Sequence, residues 1–356
     1  MVEYIQQMRP FFGEAERLAI ANYDFENGFL TEFKHTKEFE RQLANKLQVQ
    51  FCSVVNSGTT ALTVAALACG VEAKHEVIVP NFTMIATPNS VRLLGAKPIF
   101  CDVEKQTLCL DRDHVISKIS PMTKAVILVN ANGRYPSYDV EEFRVYLNSR
   151  NIYLIEDAAQ SLGSKYPDGT SIGSKSNIAT LSFSTPKIIS TGQGGALFTN
   201  DADLNCSIKK IKDFGRLGGG NDIHDVFGIN SKFTDLQAIV GLTQLAQLDE
   251  RVKIRKKQHA IYESGLKGMQ NVEVVKNNLS YTCPWFSEIL AEYRDELMLY
   301  LHENGIGSRK MYPPINTQAI YLSNQQFPIS KNVGDYGLWL PSHFGIDGET
   351  IAKIME

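Results

Sequence analysis

The stretch AVILVNANGRYPSYDVEEFRVYLNSRNIYLIED, residues 125–157, decides the fold. AVILVN (125–130) and IYLIED (152–157) are apolar runs of strand length, and DVEEFRVYLNSRN between them follows a helical pattern. Strands this apolar need cover on both faces, and a helix joining two of them is the usual crossover of a parallel pair. The alternation extends outward. FCSVV (51–55), EVIVP (76–80) and KPIFCDV (97–103) read as strands upstream. They are separated by the helical patterns TTALTVAALACG (59–70), ATPNSVRLLG (86–95) and DRDHVISKIS (111–120), the last with Asp111 as N-cap. TLSFS (180–184) and GGALFTN (194–200) add two strands downstream. The pattern predicts an α/β fold with a mostly parallel central sheet flanked by helices, which binds ligands beyond the carboxyl ends of its strands.

After Asn230 a helical pattern runs through TDLQAIVGLTQLAQLDERVKIRKKQHAIYESGL (234–266). It exceeds the usual span of about 8–20 residues, so it is expected to bridge two domains. Its basic stretch from Arg251 to Lys257 reads as a solvated face. Beyond it, strand-like VEVV (272–275), CPWFSEI (283–289), GIGSRKMY (305–312) and GLWLP (337–341) mix with helical RDELMLYLHENG (294–305). The expected division is a large domain over residues 1–245, N-terminal segment included, and a smaller α+β domain over 246–356.

With 356 residues, 43% hydrophobic and 21% charged, the composition is that of an ordinary globular protein with a large core. A net charge of −3 offers no field for nucleic acid or an anionic membrane. The six cysteines (Cys52, Cys69, Cys101, Cys109, Cys206 and Cys283) form no CxxC, and several lie in apolar runs, which favours a reducing cytoplasm. No leader is visible in MVEYIQQMRPFF, no apolar run reaches about 18–20 residues, and the seven histidines show no metal-ligand spacing. The expected partner is therefore a small molecule, and no metal is expected.

Three segments carry chemistry. In SFSTPKIISTGQGG (182–195), Lys187 follows a strand among hydroxyl residues and glycines, where Pro186 denies a regular helix. A lysine in such a site forms a Schiff base with an aldehyde cofactor once it is partly desolvated. IEDAAQ (155–160) places Asp157 at the end of an apolar strand, where a carboxylate is costly unless paired. Pyridoxal phosphate needs an anion of this kind beside its pyridine nitrogen; Gln160 is a candidate to bond its phenolic oxygen, with a surface role as the alternative. NSGTTAL (56–62) puts small residues at a helix N-terminus, where free N–H groups receive a phosphate. Each has an ordinary alternative: a solvated loop lysine, a capping aspartate, a plain strand-to-helix turn. Their conjunction at strand ends of one sheet selects the cofactor site.

The chain resembles the DegT/DnrJ/EryC1/StrS family of pyridoxal-phosphate-dependent sugar aminotransferases, which have the aspartate aminotransferase fold (fold type I). The resemblance runs nearly end to end, through GFLTEFKHTKEFE (28–40), NSGTTAL, EVIVPNFTMIAT (76–87), GAKPIFCDV (95–103), IEDAAQSLGSKY (155–166), SFSTPK (182–187), TGQGGALFTN (191–200), GINSKFTDLQAIVGLTQLAQLDE (228–250), SRKMYPPI (308–315) and LWLPS (338–342). It implies that Lys187 is the catalytic lysine, that Asp157 pairs with the pyridinium and Gln160 with the phenolic oxygen. It further implies that the Gly58 and Thr59 amides and the Ser182 hydroxyl hold the phosphate. Asn230 would reach the cofactor of a second subunit, making the enzyme a homodimer with shared sites. Lysine rather than histidine at 187 favours amino transfer over deoxygenation. Pyridoxamine phosphate would be the intermediate, and glutamate the donor. Met84 stands where the family usually stacks an aromatic ring on the cofactor, with Phe82 close by. Asn130 stands in VNANG where a histidine tends to line the sugar site. Lys232 and Arg309 are candidates for an anionic substrate group, a diphosphate or a carboxylate, or else for surface salt bridges, and the Gly-rich segment 214–225, with Arg216, is read as exposed or as a mobile substrate loop.

The expected acceptor is a keto sugar, foremost a nucleotide-linked 4-keto-6-deoxy sugar of surface polysaccharide or lipopolysaccharide synthesis. The alternatives are a free sugar acid such as an oxo-keto-deoxyoctulosonate, a non-catalytic regulator that binds pyridoxal phosphate or a sugar, and another fold type I reaction such as decarboxylation or β-elimination.

Overall fold

The computed structural model describes residues 4–218 and 222–356. Seven strands form the main sheet: β1 (Phe51–Val55), β2 (Glu76–Pro80), β3 (Lys97–Cys101), β4 (Thr123–Val129), β5 (Tyr153–Asp157), β6 (Ile178–Ser182) and β7 (Gly195–Thr199). Their order is β1-β7-β6-β5-β4-β2-β3. All neighbouring pairs are parallel except the two that β7 makes, with β1 and with β6. The alternation of side chains splits the sheet between two cores. Val54, Ile78, Val126, Leu128 and Leu154 turn to one face with Phe39, Phe143 and Phe183, while Val55, Val77, Val79, Ile127 and Ile155 turn to the other. Both faces are covered, which is why these strands are apolar throughout. Asp111 caps its helix as expected, its carboxylate accepting from the His114 N–H at 2.8 Å.

A second sheet, β10-β11-β9-β8, is antiparallel and built from β8 (Val272–Val274), β9 (Ser287–Ala291), β10 (Arg309–Lys310) and β11 (Gly337–Leu340). Its own core joins Tyr262, Leu301, Leu338 and Ile351. The long helical pattern is two helices, Asp235–Ala246 and Leu248–Gly265, meeting at Gln247. We propose the division between residues 245 and 246 as the domain boundary; it lies in the last turn of the first helix, just before this break. One expectation is corrected in part: Lys253 and Lys257 are exposed, as a solvated face requires, but the two arginines of the stretch are not. Arg251 and Arg255, one helical turn apart, are each only 4% exposed. Aromatic rings replace water for both: Arg251 lies between Phe11 and Phe344, and Arg255 lies 4.5 Å from the Phe344 ring centre. No helix among the described residues is long and apolar enough to cross a membrane.

Candidate active site

Asp157 is the last residue of β5 and Ser182 the last of β6, so chain direction brings them to the same edge of the sheet. The helix Gly58–Ala68 begins at that edge, capped by Ser57, whose hydroxyl accepts from the Thr60 N–H at 3.1 Å. The amides of Gly58 and Thr59 donate to no acceptor among the described residues, leaving the positive end of the helix open. A Cβ on Gly58 would lie 2.8 Å from Ser182 Cβ, so only glycine lets the helix start this close to β6. Between these elements lies a cavity of about 320 Å³.

Lys187 and Asp157 both line it. Asp157 accepts from the Thr87 hydroxyl at 2.9 Å and from the Ala159 N–H at 3.2 Å. Burial pushes its carboxyl upward, and these two donors together with the Lys187 charge oppose that. Burial pulls the Lys187 ammonium down to about 8, with Asp157 opposing. A lysine in this range has free amine available near neutral pH. Gln160 accepts the Asn132 N–H at 2.6 Å through its carbonyl oxygen, which leaves its amide N–H groups as donors toward the cavity.

Of the residues singled out from the sequence, Gly58, Thr59, Met84, Asp157, Gln160, Ser182, Lys187 and Arg309 share this cavity. Met84 is 46% exposed at its rim. Asn130, Asn230 and Lys232 are not on its wall. Asn130 is corrected: it is wholly buried, its N–H donating to the Asp157 carbonyl at 3.1 Å and its amide beside the buried Glu156 carboxyl. The segment VNANG serves as a clip instead, since Asn132 exchanges two hydrogen bonds with the Phe286 backbone, at 2.8 and 2.9 Å. Asn230 is exposed, and Lys232 pairs with Asp213 at 2.7 Å. Arg216 pairs with Asp222 at 2.6 Å, and residues 219–221 of the Gly-rich segment lie outside the described residues.

The reading of the sequence missed Thr87, Trp285 and Tyr312. Thr87 lay inside a quoted segment without a signal of its own. Trp285 and Tyr312 come from the second sheet's part of the chain, and nothing local in CPWFSEI or SRKMY points at the first sheet. Among the described residues no group of three or more histidine, cysteine, aspartate or glutamate side chains is placed to hold a metal ion.

The donor set fits pyridoxal phosphate: an amine opposite a buried carboxylate, with unpartnered helix amides at one end. Comparison with known proteins agrees with it. The chain is 34% identical to the GDP-perosamine synthase of Escherichia coli O157:H7, over 90% of this chain and 88% of that one. It is 32% identical to the UDP-2-acetamido-2-deoxy-3-oxo-D-glucuronate aminotransferase of Pseudomonas aeruginosa, over 89% and 88%. A crystal structure of a DegT DnrJ EryC1 StrS aminotransferase from Brucella abortus superposes with a TM-score of 0.89 at 28% identity, covering 96% of this chain and 93% of that one. Residues 13–356 match the family as a whole, and the chain belongs to the DegT/DnrJ/EryC1/StrS aminotransferase family.

Proposed function

We propose that this aminotransferase uses pyridoxal phosphate held on Lys187 to move an amino group from glutamate to a nucleotide-linked 4-keto-6-deoxy sugar, in the cytoplasm. The observation that carries the cofactor assignment is the Lys187 amine sharing one cavity with the Asp157 carboxylate and the open Gly58 and Thr59 amides. The nucleotide link of the acceptor rests on the relatives, whose names carry a GDP-linked and a UDP-linked sugar.

When bound, the cofactor supplies an electron sink for the carbanion formed at the substrate carbon. The chain's residues do the rest. Asp157 would keep the pyridine nitrogen protonated, with the Thr87 hydroxyl and the Ala159 N–H holding the carboxylate in place. Gln160 would donate to the phenolic oxygen. The Gly58 and Thr59 amides and the Ser182 hydroxyl would take the phosphate. Lys187 would anchor the cofactor and, once released, carry a proton on Nζ from the donor's α-carbon. Arg309, exposed at the cavity mouth, suits an anionic group of the substrate.

A homodimer completes this reading. Phe29 (62% exposed) and Phe227 (74% exposed) stand on two neighbouring segments, tied by the Lys212–Glu32 ion pair at 2.5 Å and the bridge between Thr31 and Thr234. Phe25, Leu30, Leu217 and Ile223 on the same segments are also exposed, apolar side chains suited to cover by a second copy. Asn230 would then serve the partner's phosphate and Lys232 its substrate.

The test is conversion of nucleotide-linked and free keto sugars with glutamate, followed by mass spectrometry. Amination of the nucleotide-linked 4-keto-6-deoxy substrates is expected. Turnover of free keto sugar acids alone would reassign the acceptor, and cofactor binding without any turnover would indicate a regulator.

A further inference from the structure

In the function proposed above, Lys187 is detached from the cofactor for part of each cycle, and its amine must stay in place meanwhile. Among the described residues no side chain accepts a hydrogen bond from its Nζ. Two groups act on it there, the Asp157 carboxylate through its charge and a ring: Nζ lies 4.1 Å from the centre of Trp285. The same indole donates its Nε1–H to the Pro186 carbonyl at 2.7 Å, one residue before the lysine. The rest of the loop is tied from elsewhere, Arg251 donating to the Ile188 carbonyl at 3.0 Å and the Ser190 N–H donating to Gln244 at 3.1 Å. Trp285 is itself fixed, stacked on Phe286 at 4.1 Å, and Phe286 is held by both bonds of the Asn132 clip.

We propose that Trp285 is a positioning residue for Lys187: its N–H pins the backbone before the lysine, and its ring face holds the free ε-ammonium at the cavity wall. The ring quadrupole attracts a cation placed over it, and a pinned backbone leaves the side chain fewer places to go. A residue that merely filled the core would need neither the bond to Pro186 nor the approach to Nζ.

The chain has only two tryptophans, so Trp285 can be followed by its emission. Full-length protein freed of cofactor is titrated with pH, as wild type, Lys187→Met and Trp285→Phe. A step in wild-type emission near pH 8, absent from both variants, is expected. Trp285→Leu is expected to lower kcat by roughly ten- to a hundredfold with KM for glutamate within about twofold. Trp285→Phe, which keeps a ring and loses the N–H, should fall between, and it decides the matter if the leucine variant does not fold. Wild-type emission without the step, or wild-type turnover in Trp285→Phe and Trp285→Leu, overturns the inference. Failure of the underlying function is read separately: borohydride would then trap no cofactor on wild-type Lys187, whatever the emission does.

Discussion

At the scale of single residues, burial moves two neighbouring groups in opposite directions, and each restrains the other. Asp157 is pushed up and Lys187 down to about 8, because water is excluded from both. At pH 7.5 roughly a quarter of such a lysine is free amine, against about one part in a thousand for an ordinary one. In the cofactor-free protein, reductive alkylation of Lys187 should therefore rise with pH up to about 8 and then level off. Exposed lysines should keep rising past pH 10, and peptide mass spectrometry at each pH separates the two. Thr87 is the only side chain that donates to Asp157 among the described residues. Removing that donor in Thr87→Val should weaken cofactor binding by about five- to thirtyfold, equivalent to about 1–2 kcal/mol, as measured by equilibrium titration. Unchanged affinity would mean that Thr87 does not support the carboxylate.

At the scale of elements, the start of the helix Gly58–Ala68 is set by its distance from β6. In Gly58→Ala the new methyl would meet Ser182 Cβ at 2.8 Å, so the helix end must withdraw from the phosphate position. At least a tenfold loss of cofactor affinity with a near-native melting temperature is expected, and undiminished affinity would show that the close approach is not needed. Ser57→Ala should cost about 1 kcal/mol of stability, read by denaturant unfolding, because the cap on the Thr60 N–H is lost. These elements were legible because local chemistry fixes them. The apolar strands β1 to β7, the cap at Asp111 and the NSGTTAL turn each carry their signal within a few residues. The break at Gln247 was not legible, since both helices follow one continuous pattern and Gln247 caps both. Nor was the burial of Arg251 and Arg255, which depends on Phe11 and Phe344 arriving from distant segments.

At the scale of the molecule, the cavity is shared between the two sheets, and this divides what the sequence reveals from what it hides. Asp157, Ser182 and Lys187 follow strands that order themselves along the chain, so their meeting could be read in advance. Trp285 and Tyr312 reach the cavity only because the second sheet packs there, and Asn130 is off its wall, buried with its N–H on the Asp157 carbonyl. The proposed homodimer makes a further prediction at this scale. If Asn230 serves the partner's site, mixing inactive Lys187→Ala with weakened Asn230→Asp protein should restore activity, through mixed dimers that carry one intact site. No recovery after verified subunit exchange would place Asn230 outside the partner's site. The central claim, that Lys187 carries the cofactor, is tested most directly by borohydride reduction of the cofactor-loaded protein followed by peptide mass spectrometry. A phosphopyridoxyl label on the peptide containing Lys187 alone is the predicted result. A label on another lysine, or none in protein shown to contain the cofactor, would contradict it.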